Sequence, residues 1–155
     1  MTVEEIQQIL QRCELFQGLS KKDIESVSIL CRLERFQVGE PVFQQGDFGD
    51  KLYIIAEGQV ALERNIDLGA RKGRAVMGLF GAGRAFGCWS TLLDEAHNLM
   101  SSVVCRKQTR VVVIDGAALR QLMVENVQLG FNVLEKLCFM LRDRIQSAYG
   151  AMDKI

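Results

Sequence analysis

Apolar residues recur at helical spacing through Val3, Ile6, Ile9, Leu10 and Cys13, and Phe16-Gln17-Gly18-Leu19 interrupts the pattern. Ser20, followed three residues later by Asp23, predicts a second helix start with Ser20 as its cap and Ile24, Val27, Leu30 and Cys31 turned inward. From Glu34 to Asp115 the pattern is that of strands. Residues 52–55 and 60–62 read as short strands rich in β-branched and aromatic side chains, 64–74 as a polar hairpin tip, and 75–80 as the returning strand. Residues 103–105 and 110–114 complete the series, and Gly39, Gly46 and Gly58 stand at strand ends. Strands this short and this regularly spaced predict a sandwich or barrel rather than a parallel α/β sheet.

After Asp115 the chain turns helical, first over 116–125 and then in one long segment. There Val127, Phe131, Leu134, Cys138, Leu141, Ile145, Ala148 and Met152 alternate four and three apart, the spacing of a coiled-coil seam. A second stripe, Gly130, Val133, Leu137 and Met140, lies on an adjacent face. A helix with two apolar faces needs two covers. One is its own β-domain, and the other is read as the same helix of a second subunit, making Val127, Phe131, Leu134, Cys138, Leu141, Ile145 and Ala148 the expected dimer interface. The alternative is that both faces are buried in one monomer core. The persistence of the spacing to the end of the sequence favours the dimer.

Bulk properties narrow the function. The 155 residues fit one domain with one core. A net charge of zero argues against a broad electrostatic grip on nucleic acid. No apolar run is long enough to span a bilayer, and the acidic, polar N-terminus does not read as a secretory signal. The odd cysteine count, Cys13, Cys31, Cys88, Cys105 and Cys138, contains no C-x-x-C pair, so free thiols in a cytoplasmic protein are expected. One histidine, His97, offers little to a metal site, and no hydrolase motif, H-E-x-x-H or P-loop is present. No catalytic residue, metal or cofactor is therefore expected.

The most specific stretch is Phe86-Gly87-Cys88-Trp89-Ser90-Thr91-Leu92, preceded by Val38-Gly39-Glu40-Pro41, Gly46-Asp47, Asp50-Lys51-Leu52-Tyr53 and Gly58-Gln59-Val60. In order and spacing this resembles the cyclic-nucleotide-binding domain, a β-roll shared by catabolite-activator-type regulators, cyclic-nucleotide-dependent kinase regulatory subunits and gated channels. The resemblance implies an α+β, mainly β fold: an antiparallel double-stranded β-helix of jelly-roll type, with N-terminal helices (1–33), the roll (34–115) and C-terminal helices (116–155).

It also implies a phosphate-binding cassette, with expected ligand-binding positions Phe86, Gly87, Cys88, Trp89, Ser90, Thr91, Leu99, Ser101 and Ser102. In the family a glutamate after Phe-Gly holds the ribose hydroxyl, and an arginine further on pairs with the phosphate. Here those positions carry Cys88 and Leu99. A thiol is a weak hydrogen-bonding group, and an apolar side chain cannot neutralise phosphate. His97, two residues before Leu99, offers one substitute cation, its bland reading being a solvated loop histidine. Trp89 reads either as core packing, as a stacking surface for a ligand, or as a plug.

The resulting expectation is a cytoplasmic, non-catalytic regulatory module for signal transduction, homodimeric, that takes a small ligand, nucleotide-like or other, but not cyclic AMP or cyclic GMP in the standard mode. The alternative is a vestigial pocket on a dimerising interaction module. An open pocket with polar lining favours the first, and one filled by Trp89, Leu99 and Met100 favours the second. Direct DNA binding is not expected without a partner or a longer parent chain.

Overall fold

Thr2 starts the first helix by a reciprocal cap: its hydroxyl accepts from the Glu5 amide at 3.2 Å, and the Glu5 carboxylate accepts from the Thr2 amide at 3.1 Å. The computed structural model describes residues 2–87, 89–95 and 97–154, with Ser90 in its backbone alone. Helices α1 (Val3–Arg12) and α2 (Lys21–Ser28) precede strands β1 (Cys31–Phe36), β2 (Pro41–Phe43), β3 (Phe48–Gly49), β4 (Lys51–Glu57), β5 (Val60–Asp67), β6 (Lys72–Phe80) and β7 (Ala85–Gly87). A 3₁₀ turn (Trp89–Leu93), β8 (His97–Asn98), β9 (Ser102–Cys105), β10 (Thr109–Asp115), α3 (Gly116–Glu125) and α4 (Val127–Met152) follow.

Ser20 caps α2 as the sequence indicates, accepting from the Asp23 amide at 3.1 Å. The Asp23 carboxylate turns to Asn126 instead, accepting from its amide nitrogen at 3.0 Å, while the Asn126 side-chain oxygen caps α4 through the Leu129 amide. The helix expected to carry Cys31 ends earlier, at Ser28. Cys31 opens β1 opposite Ile114, because the alternation of Cys31-Arg32-Leu33 matches a strand edge better than another helical turn. The hairpin tip also differs. β5 and β6 stay paired out to Asp67 and Lys72, leaving only 68–71 as the turn; mostly exposed residues form a ladder that projects beyond the core.

Among the described residues all strand pairings are antiparallel. One sheet runs β1-β10-β4-β7, a second β2-β9-β5-β6, and β3-β8 forms a short third. The first sheet is covered on both faces. Leu52, Ile54, Val112 and Ile114 pack toward the helices with Leu10, Phe16, Ile24, Leu129 and Val133. Ile55, Val111 and Val113 point into the roll with Phe43, Phe86 and Val103. Hence Val111-Val112-Val113-Ile114 reads as an unbroken apolar run, since neither face meets water. This antiparallel jelly-roll-type β-roll with terminal helices is the fold the sequence implies.

On α4 the two stripes separate. Leu129, Gly130, Val133, Leu137 and Met140 are buried. Gly130 lets α3 approach: a Cβ there would lie 2.7 Å from the Met123 carbonyl oxygen. Along the other stripe Val127, Phe131, Cys138, Ile145 and Met152 are exposed, Phe131 by 64%, while Leu134 and Leu141 pack partly onto the core.

Candidate functional site

β7 hands the chain to the 3₁₀ turn through Gly87, whose φ of +134° is one that L side chains rarely adopt. A Cβ at Gly87 would lie 2.5 Å from the Lys51 carbonyl oxygen, so the close pairing of β7 with β4 requires glycine on both counts. Trp89 follows, half-buried, and touches both core clusters. The Arg120 guanidinium donates to the Leu92 carbonyl at 2.7 Å and ties the turn to α3. Asp94, at a φ of +64°, ends it.

The return segment is held by backbone bonds. The Leu99 amide donates to the Asp47 carbonyl at 2.7 Å, and the Gly46 amide donates to the Leu99 carbonyl at 2.8 Å. This places the Leu99 side chain, 8% exposed, in the roll core beside Phe43 and Phe86. Phe86 stacks on Tyr53 with ring centroids 5.4 Å apart, and Phe43 tilts against both. The Arg64 guanidinium, reaching in from β5, donates to the Met100 carbonyl at 2.6 Å.

These pieces enclose a cavity of about 450 Å³ between the mouth of the roll and α4. Phe43, Leu62, Met77 and Phe86 form its floor, and Trp89, Leu93, Leu99, Met100 and Ser101 form one side. Leu137, Leu141, Arg144, Ile145 and Ala148 of α4 close the other. Of the expected ligand positions, Phe86, Gly87, Trp89, Leu99 and Ser101 converge here. Thr91 does not: its hydroxyl packs where a Gly116 Cβ would stand, and the residue is buried. Ser102 also lies elsewhere, its hydroxyl accepting from the Gln45 amide at 2.8 Å in a separate polar cleft with Glu63 and Arg74. Cys88 and the Ser90 side chain fall outside the described residues. The cavity is open yet mainly apolar, so Trp89 and Leu99 line it without filling it.

Two polar groups need placing. His97 is exposed at the cavity edge, its Nδ1 2.6 Å from the Asn98 carbonyl oxygen. Arg144 lines the α4 wall, and its guanidinium also reaches three groups outside the cavity. It donates to the Ala85 carbonyl at 2.7 Å, pairs with Glu14 at 3.6 Å and lies 4.1 Å from the centre of the Phe80 ring. Burial pulls the Arg144 pKa below its ordinary value, opposed by the adjacent Glu14 carboxylate. Glu14 is shared with Arg84, which stacks on the same Phe80 ring from 4.7 Å.

The sequence reading missed Phe43, Leu62 and Met77 as cavity walls. Their only signal was their place on the inward side of strands, which many core residues share. It also assigned Leu141, Ile145 and Ala148 to a dimer seam alone, whereas they line the cavity as well. Among the described residues, no three His, Cys, Asp or Glu side chains gather as a metal site, and no helix is long and apolar enough to cross a membrane.

Comparison with known proteins agrees with this architecture. The chain is 36% identical over 89 residues to the cyclic AMP receptor protein of Thermus thermophilus, covering 57% of this chain and 39% of that one. It is 29% identical over 135 residues to the CRP-like cAMP-activated global transcriptional regulator of Mycobacterium tuberculosis, covering 87% and 58%. The chain thus spans well under two thirds of either relative's length. Among solved structures, a cyclic nucleotide-binding domain from Methylobacillus flagellatus superposes with a TM-score of 0.79 at 26% identity, covering 99% of this chain and 84% of that one. The Thermus thermophilus catabolite activator protein gives 0.71 at 29% identity, covering 90% and 62%. The sequence profile of the cyclic nucleotide-binding domain matches residues 33–126, which takes in nearly the whole roll and the turn after Phe86-Gly87, and the chain therefore belongs to the cyclic nucleotide-binding domain family.

Proposed function

We propose that this chain is a non-catalytic sensor module whose roll cavity takes a small ligand but not cyclic AMP or cyclic GMP in the family's usual mode. The observation that carries this reading is Leu99. The position where the resemblance calls for arginine holds a leucine pinned by two backbone hydrogen bonds and buried among Phe43 and Phe86. A missing charge-assisted contact costs roughly 1.5–3 kcal/mol, and Cys88 in place of glutamate adds a second loss of that order. Together they weaken binding by about two orders of magnitude or more. The cavity is open, which supports a ligand over a vestigial pocket, while its lining is apolar and not the polar one that a nucleotide-like ligand calls for.

Isothermal titration calorimetry tests this directly. Wild type should bind neither nucleotide at submicromolar concentration, and Cys88→Glu combined with Leu99→Arg should regain affinity. A submicromolar dissociation constant in the wild type overturns the reading.

The exposed stripe on α4 supports a homodimer. Phe131 and Ile145, exposed by 64% and 53%, would be covered by the same helix of a second copy. Such side chains contribute roughly 1.5–3 kcal/mol each when buried. Phe131→Asp should yield monomer in sedimentation equilibrium, and a wild type already monomeric at micromolar concentration defeats the idea. Cytoplasmic residence fits this role, with Cys13, Cys31, Cys105 and Cys138 as free thiols.

A further inference from the structure

We propose that the natural occupant of the cavity is an uncharged, predominantly apolar small molecule, of the size of two linked or fused rings. The inference rests on the sensor reading above and names its ligand class.

Charge excludes the alternatives first. An anion entering this space would leave water for walls of Phe43, Leu62, Leu99 and Leu137, with no compensating partner among them. Arg144 is the one described cation on the α4 wall, and its charge is already offset by Glu14, its Nη2 donating to the Ala85 carbonyl and its guanidinium lying over the Phe80 ring. Withdrawing it toward a ligand would strip Glu14 of one of its two arginines. A cation fares no better, since no described carboxylate lines the cavity. His97 is exposed at the edge, where it can meet a polar substituent without entering the apolar space.

Shape and entry agree with the charge argument. The volume of about 450 Å³ lies within the roughly 300–1,000 Å³ of small-molecule sites. Met100, exposed by 67%, forms an apolar lip beside Leu93. Met77 and Met100 are flexible and polarizable enough to adjust to a planar ring. The Ser101 hydroxyl, 3.9 Å from the Met77 sulfur, has only a weak acceptor there and is available for one hydrogen bond to the ligand.

The experiment uses two probes that share a skeleton and differ by one charge: neutral N-phenyl-naphthylamine and anionic anilinonaphthalene sulfonate. Trp89 is the only tryptophan and lines the cavity, so its fluorescence reports occupancy. The neutral probe should quench it saturably and bind roughly tenfold or more tighter than the sulfonate. Ser101→Phe should abolish the quench by filling the cavity, while Phe139→Ser, on α4 but outside both the cavity and the dimer stripe, should leave it intact. Should Ser101→Phe fail to fold, the methionine methyl resonances of the wild type decide the same point: the neutral probe should shift Met77 and Met100 and leave Met152 in place.

Equal or tighter binding of the sulfonate, still shifting Met77 and Met100, overturns the apolar class and leaves the sensor reading standing. A quench lost in Phe139→Ser but kept in Ser101→Phe places the probe on the α4 face and overturns the proposal. No quench and no shift with either probe removes this inference and the small-ligand reading together, in favour of a module without ligand.

Discussion

At the scale of single residues, a few positions are dictated by backbone geometry and others by burial. Gly58 has a φ of +110°, and a Cβ there would lie 2.5 Å from the Thr109 hydroxyl oxygen and 2.6 Å from the Gln108 carbonyl oxygen. Neither neighbour is free to retreat: Thr109 is fully buried, with its hydroxyl donating to the Lys107 carbonyl at 2.8 Å. Gly58→Ala should therefore cost about 2 kcal/mol or more in urea unfolding, combining backbone strain with overpacking. The cysteines divide by the same logic. Burial pushes the Cys13 and Cys31 thiols up to about 12, whereas Cys138 stands exposed on α4. Because the thiolate is the reactive form, Cys138 should react with a disulfide reagent at neutral pH well before Cys13 and Cys31, as peptide mapping of a timed labelling would reveal.

At the scale of elements, the attachment of α4 to the roll turns on one carboxylate. Glu14, just beyond α1, meets Arg84 from the turn before β7 and Arg144 from α4, and both guanidinium groups stack on Phe80. Three elements and one aromatic ring are thereby joined in a half-buried cluster, where removing one partner leaves the others' charge uncompensated. Glu14→Gln keeps the shape and removes the charge. It should lower stability by about 1–3 kcal/mol and speed amide hydrogen exchange along the second half of α4 ahead of its first half. Uniform loss of protection across the whole chain would instead mean that the cluster supports the fold at large and not the docking of α4. The same helix carries the cavity wall, so its docking sets the shape of the site.

At the scale of the whole molecule, stability should depend on alkaline pH with a definite sign. Cys13 and Cys31 hold their protons up to about 12 in the folded chain. In the unfolded chain they lose them near about 8.5. Above that pH the unfolded state binds fewer protons than the folded one, so unfolding is favoured as pH rises; below it the two states are equally protonated and the contribution is constant. The Tyr53 hydroxyl, raised by burial, acts in the same direction. Urea midpoints should hold steady from pH 7 to about 8.5 and then fall, by up to roughly 1.4 kcal/mol per pH unit for each thiol. Cys31→Ala should make that fall shallower, and an unchanged slope would show that other groups govern it.

Much of this architecture is legible in the amino-acid order, because helical and strand periods, caps and turn glycines depend on residues close along the chain. Thr2 and Ser20 act through amides three positions away, and the two stripes of α4 follow from its pitch alone. The Phe86-Gly87 turn was legible for a related reason: its glycine is demanded by a local φ as well as by the Lys51 carbonyl. Other features depend on contacts between distant segments, where no local period speaks. Ser28 ends α2 because Cys31 finds a partner in Ile114, and β5 and β6 outlast their apolar pattern because each supplies the other's ladder. Thr91 and Ser102 looked like ligand groups in the sequence, yet Gly116 and Gln45 claim them from elsewhere in the chain. The apolar character of the cavity was decided in the same way. Leu62, Met77 and Leu137 each read as an ordinary core residue, and only the packing of α4 across the mouth of the roll makes them, with Leu99, the walls of one cavity.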